Sequence, residues 1–304
     1  MSETVKQMRS LPTVGEDSEN RIKDIRVFAL DMDGTIYLGE KWIDGAKDFL
    51  RAIEESGREY FFLTNNSSKS PKAYVDKLRR MGFETSLDHI ITSGQATIWY
   101  LEKHFSGKRV FLLGNELLRA EFSEAGILLE EAEAGAEQKE AELVVTGFDT
   151  TLDYEKMCRV CDLVRYGLPY VATHPDLNCP TETGFIPDIG AISAFIKAST
   201  GREPDVIVGK PYAPIAEYLL ERARGLADYT AERLPDSNEE DLSKIEYNKI
   251  AMVGDRLYTD VACGVNAGMT GILVLSGEAT MEDAIHSDVT PDLIYHSVKD
   301  ICLK

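Results

Sequence analysis

The chain has 304 residues and a mass of 33.8 kDa, which leaves room for about two domains. Hydrophobic residues make up 43% and charged residues 28%, a globular balance that excludes disorder over most of the length. Thirty-three Lys and Arg stand against 52 Asp and Glu, a net charge of −19; so acidic a chain repels nucleic acid and anionic membranes as bulk partners but still admits a small anion held by local positive groups or a metal.

Residues 1–22 are polar and are expected to be frayed or lightly docked. MSETVKQMRSLPTVGEDSEN has no apolar stretch that could act as a signal, and no run approaches the ~20 apolar residues of a membrane span. A cytoplasmic protein is expected. Ile25–Leu30 is a short apolar run that reads as a buried strand. Ala46, Phe49, Leu50 and Ile53 recur at helical spacing, with Gly57 as the stop. Tyr60–Leu63 is the second strand, and a helix follows over Pro71–Met81, with Pro at a first-turn position.

Val110–Leu113, Leu143–Thr146 and Tyr170–Ala172 read as further strands with helices between them. Their periodicity leaves open whether they join the first sheet. Five cysteines, at 158, 161, 179, 263 and 302, are too few and too scattered for a disulfide framework. Cys158 and Cys161 fall in a helical pattern and read as helix-face residues. The acidic stretches Glu130–Glu142 and Pro235–Asp241 read as solvated surface. Val206–Val208, Ile250–Val253 and Gly271–Leu275 complete the series of buried strands. Strands alternating with helices predict a doubly wound, Rossmann-like parallel sheet of the α/β class.

In such a sheet, ligands bind beyond the carboxyl ends of the strands. Asp31-Met32-Asp33-Gly34-Thr35 follows the first strand and places two carboxylates at i and i+2. Thr64-Asn65-Asn66-Ser67-Ser68 follows the second, with hydroxyls and amides suited to an anionic oxygen. Gly209-Lys210-Pro211 supplies a fixed cation, and Gly254-Asp255-Arg256 with Asp260 supplies more carboxylates. Oxygen-rich acidic sets of this kind suit Mg²⁺. A carboxylate beside a metal and a lysine can attack a phosphorus atom that would otherwise repel it.

The order DMDGT, LTNN, GKP and GDRLYTD resembles the four motifs of the haloacid dehalogenase superfamily. DGTIYLG, ATHPDLNCPTETGFIPDIGAI and CGVNAGMTGILVLSGEAT resemble its subclass IIA, the NagD-type or p-nitrophenylphosphatase group. The resemblance implies a Mg²⁺-dependent phosphatase, a phosphoric monoester hydrolase working on a small phosphorylated metabolite through an aspartyl phosphate. It implies Asp31 as nucleophile and Asp33 as acid then base. Thr64 and Lys210 would complete the catalytic set. Phosphate would be bound by Asp31, Met32, Asp33, Thr64, Asn65 and Lys210. Mg²⁺ would be held by Asp31, the Asp33 carbonyl and Asp255, with Asp260 behind them.

Roughly 140 residues separate LTNN from GKP, too many for a plain connection. The resemblance suggests an inserted α/β cap at 107–203, with a core of 1–106 plus 204–304. Substrate choice is expected in the turn Thr173-His174-Pro175-Asp176, through His174 and Asp176. In this subclass the turn commonly reads T-N-P-D, so His174 is a departure; Asp188, where Gly is common, is a second. The reading leaves room for a homodimer. Its alternatives are a phosphotransferase or mutase of the same superfamily and a phosphoacceptor signalling module. The order of the motifs disfavours the module.

Overall fold

The computed structural model describes residues 16–130, 140–181, 184–233 and 244–303. These described residues fall into two compact units that divide between Phe62 and Leu63 and between Leu219 and Leu220.

The first unit opens with helix α1, Glu16–Asp24. Residues 16–22, expected to be frayed or lightly docked, are helical, and Ile22 docks them at 1% exposure. One buried apolar side chain in a polar stretch leaves no periodicity to read. Strand β1, Val27–Leu30, is buried along its whole length, as its unbroken apolar run requires. The short pair β2, Tyr37–Leu38, and β3, Lys41–Trp42, forms an antiparallel hairpin. Helix α2, Ala46–Glu55, buries the four residues picked out by their spacing, Ala46, Phe49, Leu50 and Ile53. The chain leaves it through Gly57 at φ 69°. Strand β4, Glu59–Thr64, pairs in parallel with β1.

The second unit takes over at Leu63. It holds α3 (Pro71–Arg80), β5 (Ile90–Thr92), α4 (Ser93–His104), β6 (Val110–Leu113) and α5 (Glu116–Glu124). It continues with β7 (Leu143–Thr146), α6 (Tyr154–Arg165), β8 (Tyr170–Ala172), β9 (Asn178–Thr181) and β10 (Gly184–Pro187), and then α7 (Ile189–Thr200) and β11 (Val206–Ile207). The strands expected at 110–113, 143–146 and 170–172 belong to one parallel sheet in the order β11-β8-β7-β6. Its core is built from residues such as Val144, Val160, Val164, Tyr170, Ile189 and Ile196. Cys161 packs in that core while Cys158 on the same helix is exposed.

Helix α8, Ala213–Arg233, leads back to the first unit. There β12 (Ile250–Gly254), α9 (Ala262–Ala267), β13 (Thr270–Val274), α10 (Met281–His286) and β14 (Leu293–Tyr295) follow. In the first unit β14, β13, β12, β1 and β4 stand side by side in that order, and their registers are all parallel. β1 and β12 lie side by side, Leu30 opposite Val253.

One expectation needs correction. Val206–Val208 was grouped with Ile250–Val253 and Gly271–Leu275, but β11 is an edge strand of the four-stranded sheet, paired with β8. Two half-buried residues carry no local mark of the sheet they join. The acidic stretch Pro235–Asp241, and most of Glu130–Glu142, lie outside the described residues. No helix among the described residues is long and apolar enough to cross a membrane.

Helix α5 also carries a half-buried acid, Glu121. Its apolar face sets Leu118 and Phe122 in the core. Glu121 Oε2 lies so close to Gly94 of α4 that an added Cβ there would meet it at 3.2 Å. Burial, then the neighbouring Glu124 charge, pushes the Glu121 carboxyl up from 4.5 to about 7. The native state thus holds the proton more tightly than the unfolded chain does. Stability is full below about pH 4.5, falls as the pH rises toward 7, and stays low above it. Glu121→Gln should therefore raise the unfolding free energy at about pH 8, by on the order of 2 kcal/mol, and change it little at about pH 4. Denaturant unfolding at the two pH values checks this; an equal effect at both would exclude the carboxyl's ionisation as the cause.

Candidate active site

The first loop leaves β1 with the Asp31 amide donating to the Val253 carbonyl at 2.9 Å. It then closes tightly on itself. The Met32 carbonyl accepts from the amides of Thr35, Ile36 and Tyr37, and Gly34 N donates to the Tyr37 carbonyl at 2.8 Å. Gly34 sits at φ 87°, and an added Cβ would lie 2.3 Å from Asp255 Oδ2. Both the backbone conformation and the close approach thus require glycine. The Met32 side chain is buried and takes the Tyr37 hydroxyl on its sulfur at 3.5 Å. Met32 can serve a ligand only through its backbone. Asp33 is exposed, and Asp31 is half-buried.

Asp255 and Arg256 follow β12, and a single wide π-turn, Leu257–Val261, brings Asp260 back beside them. The amides of Asp260 and Val261 both donate to the Arg256 carbonyl at 3.1 Å, and Asp260 Oδ2 accepts from the Arg256 amide at 3.1 Å. Carboxylate oxygens of Asp31, Asp255 and Asp260 lie within 4.8 Å of one another. Asp255 Oδ2 accepts from the Glu278 amide at 2.7 Å, whereas its Oδ1 is buried with no hydrogen-bond partner. Burial, and next the Asp260 charge, push the Asp255 carboxyl up to about 6. Burial opposes the charge of Arg256, but Asp31 and then Glu278 outweigh it and hold the guanidinium above its ordinary value. Arg256 Nε is 2.9 Å from Glu278 Oε2, and the Tyr258 hydroxyl donates to Glu278 Oε1 at 2.9 Å.

Arg256 answers part of this charge, but three carboxylates so close, one with a buried oxygen lacking a donor, suit a further cation among them. An all-oxygen set of this kind fits a hard divalent ion. Asp260, expected behind the others, brings a carboxylate oxygen within 4.8 Å of those of Asp31 and Asp255.

In the second unit, Asn65 brackets the Lys210 backbone. Its Oδ1 accepts from Lys210 N at 2.8 Å and its Nδ2 donates to Lys210 O at 3.0 Å. The same Nδ2 donates to Asp176 Oδ1 at 2.9 Å. Lys210 is 2% exposed, and its Nζ donates to the Leu63 carbonyl at 2.9 Å. At Gly209 an added Cβ would come within 2.6 Å of Asn65 Oδ1, so the bracket needs glycine there. Thr64 Oγ1 accepts from the Asn66 amide at 3.1 Å. Ser67 Oγ accepts from Phe148 N at 3.0 Å and from the Thr173 hydroxyl at 3.2 Å. Much of the polar Thr64–Ser68 stretch therefore ties loops together. The His174 side chain is fully buried between Asp176 and Asp188.

Residues 28–128 match the model of a haloacid dehalogenase-like hydrolase, and residues 207–301 that of a HAD-like hydrolase. The acid sugar phosphatase of Staphylococcus aureus (strain MRSA252) is 33% identical over 280 residues, covering 92% of this chain and 96% of that protein. The chain belongs to the haloacid dehalogenase-like hydrolases. The 4-nitrophenylphosphatase of Thermotoga maritima superposes with a TM-score of 0.77 at 38% identity, covering 93% of this chain and 99% of that one. A p-nitrophenyl phosphatase from Archaeoglobus fulgidus does so at 0.74 and 30%, covering 91% and 98%. Within the haloacid dehalogenase-like hydrolases the chain is a phosphatase, a phosphoric monoester hydrolase of subclass IIA with a Rossmann-like core.

For this member of the haloacid dehalogenase-like hydrolases, sequence reasoning missed Glu278 and the structural work of Asn65. Glu278 lies beyond β13, outside the four motifs though inside the CGVNAGMTGILVLSGEAT stretch, and the adjacency of β13 and β12 carries it to Arg256.

Proposed function

We propose that this phosphatase hydrolyses a small phosphorylated metabolite, with Mg²⁺, through an aspartyl phosphate on Asp31. The observation that carries the reading is the Asp31, Asp255, Asp260 cluster at the ends of β1 and β12. Asp31 and Asp255, with the Asp33 carbonyl oxygen, would hold the ion, and Asp260 would steady it. Bound Mg²⁺ supplies the charge that lets a carboxylate approach a phosphate.

Asp31 attacks phosphorus as the bond to the leaving oxygen breaks, and the Asp33 carboxyl gives that oxygen its proton. Asp33, now a carboxylate, takes a proton from water. The water oxygen attacks phosphorus, the bond to Asp31 breaks, and phosphate leaves. The Met32 and Asn65 backbones and the Thr64 hydroxyl would hold phosphate oxygens. Lys210 would neutralise their charge.

Residues 107–203 would form the cap that chooses the leaving group, with Asp176 and His174 in its substrate turn. A sugar phosphate is the first class to test, since the Staphylococcus aureus relative is an acid sugar phosphatase. The enzyme would act in the cytoplasm, alone or as a homodimer.

After exhaustive dialysis against EDTA, hydrolysis of p-nitrophenyl phosphate should fall to background and return with Mg²⁺. Full turnover in excess chelator would refute the metal assignment.

A further inference from the structure

His174 and Asp188, 14 positions apart, meet in the fold. His174 Nε2 is 3.5 Å from Asp188 Oδ1, and Nδ1 is 3.8 Å from Asp176 Oδ2. The ring is buried, neither nitrogen has a hydrogen-bond partner, and the two carboxylates face them at ion-pair distance. A buried ring with two polar atoms is stable only if something answers them, and the groups facing them are acids. Asparagine at 174 would be too short to bridge two carboxylates on opposite sides. Glycine at 188 would leave the Nε2 side of the ring facing no polar group.

The pair sits at a junction. Asp188 caps α7, its Oδ1 accepting from the Ile189 amide at 2.6 Å. The turn is sewn to that helix by Gly190 N on the Asp176 carbonyl at 2.8 Å and Asp188 N on the Leu177 carbonyl at 2.9 Å. His174 Cβ packs so tightly on Gly209 that an added Cβ there would come within 2.7 Å of it. From Asp176 the path runs to Asn65 Nδ2, and from Asn65 to both backbone polar groups of Lys210.

We propose that His174 and Asp188 are a matched pair, and that His174 is a positioning residue. It seats Asp176 on Asn65 and so fixes the backbone that carries Lys210. Substrate need not touch the ring. The inference rests on the reading that Lys210 serves phosphoryl transfer.

The test is a cycle of wild type, His174→Asn, Asp188→Asn and the double variant. Asparagine at 188 keeps the helix cap. Each single change should lower kcat for p-nitrophenyl phosphate roughly tenfold with KM little changed, and the double should recover most of the loss. The unfolding midpoint should show the same non-additive pattern. Losses that simply multiply, in both kcat and midpoint, would overturn the pairing. Coupling seen in the midpoint with kcat unmoved in every variant would overturn the positioning role. Should His174→Asn fail to fold, His174→Gln, with its longer amide, replaces it in the cycle. Lys210→Met separates the two readings. Wild-type kcat in that variant would refute the role of Lys210, while the His174–Asp188 coupling would still be legible in the midpoint.

Discussion

Asp31→Asn should leave a folded protein with at most a trace of turnover, a fall of ~10⁴-fold or more in kcat. An amide is neither a nucleophile toward phosphorus nor a good ligand for a hard cation, so one substitution removes both contributions. The fold should survive. The Asp31 amide keeps its bond to the Val253 carbonyl, and Leu30 keeps its register with Val253. Without metal the melting temperature should move little, because relief of repulsion among three clustered carboxylates is set against the loss of the Asp31 charge that faces Arg256. Steady-state kinetics with Mg²⁺ and p-nitrophenyl phosphate, paired with a thermal melt in EDTA, measures both. Retention of several per cent of kcat would remove Asp31 from the nucleophile's role.

Lys210→Met should lower kcat by ~10²–10³-fold, the usual effect of removing one preorganised charge from a transferring group. Methionine fills much of the volume of a side chain that is only 2% exposed, so packing is disturbed little. The Asn65 bracket holds the Lys210 backbone and does not depend on the side chain. The Leu63 carbonyl loses a donor, and a modest loss of stability should follow. The informative comparison is kcat against KM. A cation used mainly as charge develops lowers kcat; one that only binds phosphate raises KM instead. A pure KM effect would reassign Lys210 to ground-state binding.

Much of this was readable before the fold was known, because the signals were local. Val110–Leu113, Leu143–Thr146 and Tyr170–Ala172 emerge as strands with those bounds, since a short apolar run between polar stretches is favourable only where both faces are buried. The four residues of the α2 face are spaced by the helix period itself. Asp31 and Asp255 could be proposed to meet because parallel strands deliver their following loops to the same edge.

What the sequence could not decide was which distant partner each polar group would take. β11 joins β8 because of pairing along the chain's second sheet, not because of anything in Val206 and Ile207 themselves. Asp260 enters the carboxylate cluster through a wide turn that shifts the helical phase. Asn65 reaches Lys210 across 145 positions, and His174 finds Asp188 only once the turn is stitched to α7. Periodicity and propensity report on neighbours within a few residues; hydrogen bonds between buried polar groups are satisfied by whatever the tertiary fold brings near, and that choice is made in three dimensions.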